Sequence, residues 1–129
     1  MTGMVIVSHS RQLAEGAAEL AGPMAGSAGI GPAGGLEDGS IGTDAFRIKE
    51  AIEKANDGDG VVILCDMGSA IMSAETALDF LEDSGVKAKI ADAPVVEGAV
   101  SAAVTASTGA PMDEVIEAAE EARGQSKMS

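Results

Sequence analysis

Val61-Val62-Ile63-Leu64-Cys65, running directly into Asp66-Met67-Gly68-Ser69, is the stretch that decides the fold. Five apolar residues stand without a break, with the turn composition Asn56-Asp57-Gly58-Asp59-Gly60 before them and a polar turn after. A strand with one wet face alternates apolar and polar residues. An unbroken apolar run instead fits a strand covered on both faces, as in a parallel sheet.

Working outward from this strand, helical spacing flanks it on both sides. Thr43 or Asp44 caps a helix with apolar positions Phe46, Ile48, Ala51, Ile52 and Ala55, and a later helix carries Ile71, Ala74, Ala77, Leu78 and Leu81. Residues 4–7 form a short buried strand. The next helix presents Leu13, Ala17, Leu20, Ala21 and Met24 to the core, with Arg11, Glu15 and Glu19 opposite, and ends near Gly22-Pro23. Methionines at helical spacing read as core. A strand broken by Gly and Pro lies in 28–33, and 34–40 is loop composition. Further on come a strand at 86–91, a helix over 95–106, and a last helix opened by Pro111 that carries Val115, Ile116, Ala119 and Ala122. Strand and helix alternate with no room for hairpins. The expectation is an α/β fold: a doubly wound, mainly parallel sheet of four to five strands, order 2-1-3-4, with helices on both faces. One domain spans 1–124, followed by a polar tail at 125–129.

Composition narrows the function. The 129 residues are 46% hydrophobic, with no Trp, no Tyr and two Phe, so the core is aliphatic. Eight basic residues against 21 acidic ones leave a net charge of −13, which argues against non-specific nucleic-acid binding and against docking on an anionic membrane. No apolar run approaches the roughly 20 residues needed to span a bilayer. No basic segment followed by a long apolar run opens the chain. The expectation is a cytoplasmic protein with no membrane insertion. Cys65 is the only cysteine, so no intrachain disulfide forms, and its place inside a strand reads as core. One His and one Cys make a zinc site improbable, and no metal or bound cofactor is expected.

In such a sheet, ligands bind outside the carboxyl ends of the strands where strand order reverses. Two strand ends carry capable residues: Ser8-His9-Ser10 and Asp66-Met67-Gly68-Ser69. Order 2-1-3-4 makes them neighbours, so His9, the only histidine, and Asp66 face one site. A helix N-terminus disfavours an imidazolium, which keeps the ring neutral and nucleophilic, and its free N–H groups can cradle a phosphate. Asp66 accepting from one ring N–H would fix the tautomer and stabilise the positive ring formed on attack. Ser8, Ser10, Gly68 and Ser69 are candidate donors to phosphate oxygens. Other chemistries fit less well. Ser69 lacks the G-x-S-x-G frame of a hydrolase nucleophile, and there is no P-loop. A phospho-aspartate receiver would want an acidic pair where Ser8-His9 stand.

Residues 7–21 read V-S-H-S-x-x-L-A-E-G-A-A-E-L-A. They are followed by A-G-G-x-x-D-G-x-I-G-T-D at 33–44, D-M-G-S-A at 66–70, S-A-E-T-A-L at 73–78 and A-P-V-V-E-G-A at 93–99. This series resembles the phosphotransfer subunits (DhaM family) of phosphoenolpyruvate-dependent dihydroxyacetone kinases, in their mannose-type EIIA domain, over roughly residues 4–122. The resemblance implies a phosphotransferase subunit in which His9 is the phosphorylated histidine and Asp66 its acidic partner, with Gly35, Thr43, Gly68 and Ser69 in the loops around them. It also implies a homodimer that takes phosphate from the phosphocarrier HPr and passes it to ADP in the nucleotide-binding subunit (DhaL), for use on dihydroxyacetone held by DhaK. Members with fused HPr-like domains exist; a chain ending at Ser129 would need a separate HPr. Two alternatives stay open: a sugar-transport EIIA domain that hands phosphate to an EIIB domain, and a non-enzymatic sensor of phosphorylation state. The short D-M-G-S loop favours the kinase branch.

Overall fold

The computed structural model describes residues 1–128; Ser129, the end of the expected tail, lies outside the described residues. The chain runs β1 (Gly3–Ser8), α1 (Arg11–Ala21), a 3-10 turn (Gly22–Met24), β2 (Ile30–Gly34), α2 (Ala45–Ala55), β3 (Val61–Cys65), α3 (Gly68–Phe80), β4 (Ala88–Ile90), α4 (Val95–Ser107), α5 (Met112–Glu121) and a closing 3-10 turn (Ala122–Gly124). The sheet has four strands in the order β2-β1-β3-β4, all parallel, as the alternation of elements predicts.

The alternation of side chains along the inner strands divides the core in two. Met4, Ile6, Val62 and Leu64 pack beneath α1, α4 and α5. Val5, Val7, Val61, Ile63 and Cys65 face α2 and α3. Successive strand residues point to opposite faces, so an unbroken apolar run fills both layers at once. Cys65 is buried as expected; burial first, and the neighbouring Asp66 charge second, push its thiol up to about 12.

The helix α1 turns a different face inward than periodicity predicts. In α1 the buried residues are Ala14, Ala17 and Ala21, whereas Leu13 and Leu20 are 41% and 51% exposed and Met24 beyond them is also exposed. The cause is close approach. A Cβ on Gly34 would stand 2.7 Å from the Ala14 Cβ and 2.6 Å from the Ser10 carbonyl oxygen. At that separation only alanine fits between helix and sheet. In α3 the expected Ala74, Ala77 and Leu81 are buried and Leu78 packs against them, while Ala70 goes inward and Ile71 is exposed. The expectation that methionines at helical spacing are core fails for Met24 and Met72, which are exposed, while Met112 packs half-buried against the core.

The outer edge of β2 is blunted. Met4 N–H donates to Gly29 O and Gly35 N–H to Ser8 O, so odd-numbered residues of this segment face β1 and Ile30, Pro32 and Gly34 face outward. Pro32 removes the middle donor of that edge, and Arg47 Nη2 covers Gly34 O at 3.4 Å. No described helix is long and apolar enough to cross a membrane.

Candidate functional site

β1 and β3 pair directly, with Val7 opposite Cys65, so the residues that follow each strand meet. Asp66 N–H donates to Val7 O at 3.1 Å, which extends the ladder one step past the strands. The backbone of His9 is fixed on two sides: its N–H donates to Asp66 Oδ2 at 3.0 Å, and its carbonyl accepts from Gly42 N–H at 3.0 Å.

The ring is held at both nitrogens. Nδ1 lies 3.0 Å from Asp66 Oδ1 and 3.2 Å from Oδ2. An ionised carboxylate only accepts, so Nδ1 carries the proton, and in the neutral ring Nε2 carries the lone pair. Ser69 Oγ stands 2.6 Å from Nε2 and donates to it. Ser69, expected as a donor to phosphate oxygens, here meets the ring nitrogen itself. The side chains of His9 and Asp66 are 18% and 11% exposed, so the pair is sheltered with an edge left open.

Asp66 is saturated with donors. Oδ2 accepts from the Ser8 hydroxyl at 3.0 Å and from His9 N–H; Oδ1 accepts from Met67 N–H at 2.8 Å and from the ring. Burial pushes this carboxyl up, but the donations from His9 and Ser8 outweigh it and hold it below the ordinary value of 3.8.

The remaining expected site residues divide by what their polar atoms already do. Ser10 caps α1, its Oγ accepting from Leu13 N–H at 3.2 Å while its own N–H donates to Ser8 Oγ. Only its hydroxyl proton is left for a ligand. Ser8, expected to donate to phosphate, is fully buried and spends its hydroxyl on Asp66. Gly35 gives its N–H to Ser8 O and adopts φ +68°, where a side chain would be strained, so it shapes the turn beside Arg11. Thr43 pairs with Ser73, Oγ to Oγ at 2.6 Å, and Asp44 rather than Thr43 caps α2, accepting from Phe46 N–H. Gly68 and Ser69 open α3, whose N-cap Met67 makes no side-chain capping bond. Their N–H groups have no intrahelical acceptor, and the Ser69 hydroxyl ties this end of the helix to Nε2.

Sequence reasoning missed Gly42, Ser73 and the Met67 N–H, which act through backbone or hydroxyl contacts with no spacing signature. It also missed Arg11, whose Nη2 donates to Leu36 O and Glu37 O and ties the 35–42 loop against α1. A cavity of about 520 Å³ lies elsewhere, between β2 and α2, and touches neither His9 nor Asp66. Among the described residues, no group of three or more His, Cys, Asp or Glu could hold a metal ion. The site is an open patch around an oriented imidazole with an uncapped helix N-terminus beside it. That arrangement suits nucleophilic attack by Nε2 on an anionic group.

Comparison with known proteins identifies the family. The EIIA-man family model, described as PTS system fructose IIA component, matches residues 3–116. The phosphoryl donor subunit DhaM of the PEP-dependent dihydroxyacetone kinase of Escherichia coli K12 is 47% identical over 90% of this chain, which spans only 26% of that relative's length. The DhaM subunit of dihydroxyacetone kinase 2 from Listeria innocua is 44% identical over 81% of this chain and 85% of the relative. A solved structure, that of the protein of unknown function EF1359, superposes with a TM-score of 0.80 at 34% identity over 93% of each chain.

Proposed function

The chain belongs to the mannose-type EIIA family and, within it, to the phosphoryl donor subunits of dihydroxyacetone kinases, and on that premise we propose that it is a phosphocarrier acting through Nε2 of His9. Its donor is phospho-HPr. Its acceptor is ADP held by DhaL, which serves the phosphorylation of dihydroxyacetone on DhaK. The carrier works as a cytoplasmic homodimer and needs no cofactor of its own.

The observation that supports this reading most is the split use of the ring, with Nδ1–H on Asp66 and the Nε2 lone pair beside the start of α3. In the uptake step the Nε2 lone pair forms a bond to phosphorus as the donor's own P–N bond breaks. The ring keeps its Nδ1 proton and becomes positively charged, and Asp66 offsets that charge. Ser69 Oγ–H turns from Nε2 to a phosphoryl oxygen, and the Gly68 and Ser69 N–H groups take the others. In the discharge step an ADP phosphate oxygen attacks phosphorus, the Nε2–P bond breaks, and the ring leaves neutral with the same proton on Nδ1. No proton has to be found or lost, so catalysis reduces to positioning and charge stabilisation.

The test uses phosphoenolpyruvate, enzyme I, HPr and this protein. The expected product is an acid-labile, base-stable phosphate on His9. A His9→Ala protein that took up label at the wild-type rate would end the reading. Discharge to DhaL-bound ADP is expected; discharge to an EIIB domain instead would place the chain in the sugar-transport branch. Label retained against both acceptors would make it a sensor.

A further inference from the structure

We infer that Ser8 is a positioning residue for phosphoryl discharge: its buried hydroxyl holds Asp66 as a pure acceptor, so that His9 keeps its Nδ1 proton while Nε2 carries the phosphoryl group. This inference rests on the reading of His9 as the carrier. β1 is otherwise apolar and wholly buried, and Ser8 ends it with no exposed surface. Backbone bonding already holds its place, since Gly35 N–H donates to its carbonyl. The hydroxyl is thus not needed to seat the residue. Its direction is set by two contacts: Ser10 N–H donates to Oγ at 3.0 Å, and the hydroxyl proton goes to Asp66 Oδ2 at 3.0 Å. Thr2, the other buried hydroxyl among the described residues, donates only to a neutral carbonyl, Ala110 O.

The chemistry follows from what the ring must be when it leaves. With the proton on Nδ1, a phosphorylated ring departs as neutral imidazole. If that proton crosses to Asp66, the ring must depart as an anion, a much poorer leaving group. Each hydrogen bond donated to Asp66 makes it a weaker base and keeps the proton on the ring. Deleting the Ser8 hydroxyl removes one of two donors outside the ring from Oδ2 and leaves His9 N–H alone there.

The experiment compares wild type, Ser8→Ala and Ser8→Thr, each labelled through phosphoenolpyruvate, enzyme I and HPr, with ¹⁵N-histidine for NMR. Ser8→Ala is expected to accept phosphate but to discharge it to DhaL-bound ADP about tenfold more slowly. Its phosphorylated Nδ1 signal should move toward the unprotonated range. Ser8→Thr, which restores the hydroxyl, should return both readouts. Wild-type discharge and an unmoved Nδ1 signal in Ser8→Ala would overturn the inference. So would equal slowing in Ala and Thr with Nδ1 unmoved, since that is the mark of packing damage alone. A wild-type protein that takes no label ends the carrier reading and this inference together. A wild type that labels beside an unaffected Ser8→Ala ends only the inference.

Discussion

The β1–α1 and β3–α3 junctions stand side by side at one end of the sheet and are built in opposite ways. At the first, Ser10 caps the helix, Ser8 is buried, and the carbonyls of Ser8 and His9 are both bonded. At the second, Met67, Gly68 and Ser69 are exposed and the helix has no side-chain cap. One junction satisfies its polar groups internally and thereby fixes a ring; the other keeps donors in reserve for something outside the protein. A transfer site needs both, because a nucleophile must be held still while the charge it receives must be met by groups not already committed. Asp66 joins the two, since it belongs to the second junction and accepts most of its bonds from the first.

Removing that joint should have the largest effect. Asp66→Ala is expected to slow phosphoryl transfer by about 10²-fold or more, measured as the initial rate of label uptake from phospho-HPr. An unchanged rate would strip Asp66 of its orienting role. Next comes Gly34→Ala, which disturbs only the rigid junction. The added carbon would meet Ser10 O at 2.6 Å, so α1 has to shift, at roughly 1–3 kcal/mol of stability by denaturant unfolding. A variant as stable as wild type would show that the helix is not pinned there.

Acid should act through the joint as well. Asp66 is held below 3.8 when folded, so its unfolded state binds a proton first. Its contribution is fully present above that value and is lost as pH falls through the lower folded one. The stability difference between wild type and Asp66→Asn should therefore narrow below pH 3.8; a difference that widens on acidification would contradict the assigned direction. The smallest effects contrast the two caps directly. Ser10→Ala should destabilise by about 1 kcal/mol. Met67→Ser, which supplies the missing cap, should raise stability by several tenths of a kcal/mol while slowing transfer, because the new cap competes for the reserved N–H groups. Faster transfer in Met67→Ser would break the contrast.

Much of this architecture is legible in the sequence, and the reasons for the gaps are physical. Residues 61–65 read as a strand to the residue, because burial on both faces leaves an unbroken apolar run with sharp ends. Strand alternation then brings His9 and Asp66 together before any coordinate is known. The inward face of α1 is not legible in the same way. Periodicity marks Leu13 and Ala14 alike as apolar, and only the distance between helix and sheet, set by Gly34, decides which fits. Expectation fails for Ser8 for a related reason. A hydroxyl beside a histidine looks like a ligand donor until its burial shows that it serves the carboxylate.

Cys65 lends the molecule a clock. The chain's single thiol lies one residue before Asp66, buried and with its ionisation pushed up to about 12. At neutral pH a disulfide reagent gains it only through transient openings at the end of β3. Its labelling rate therefore counts how often the carboxylate's own strand comes loose, and a phosphorylated carrier and an empty one can be timed against each other without introducing a second cysteine.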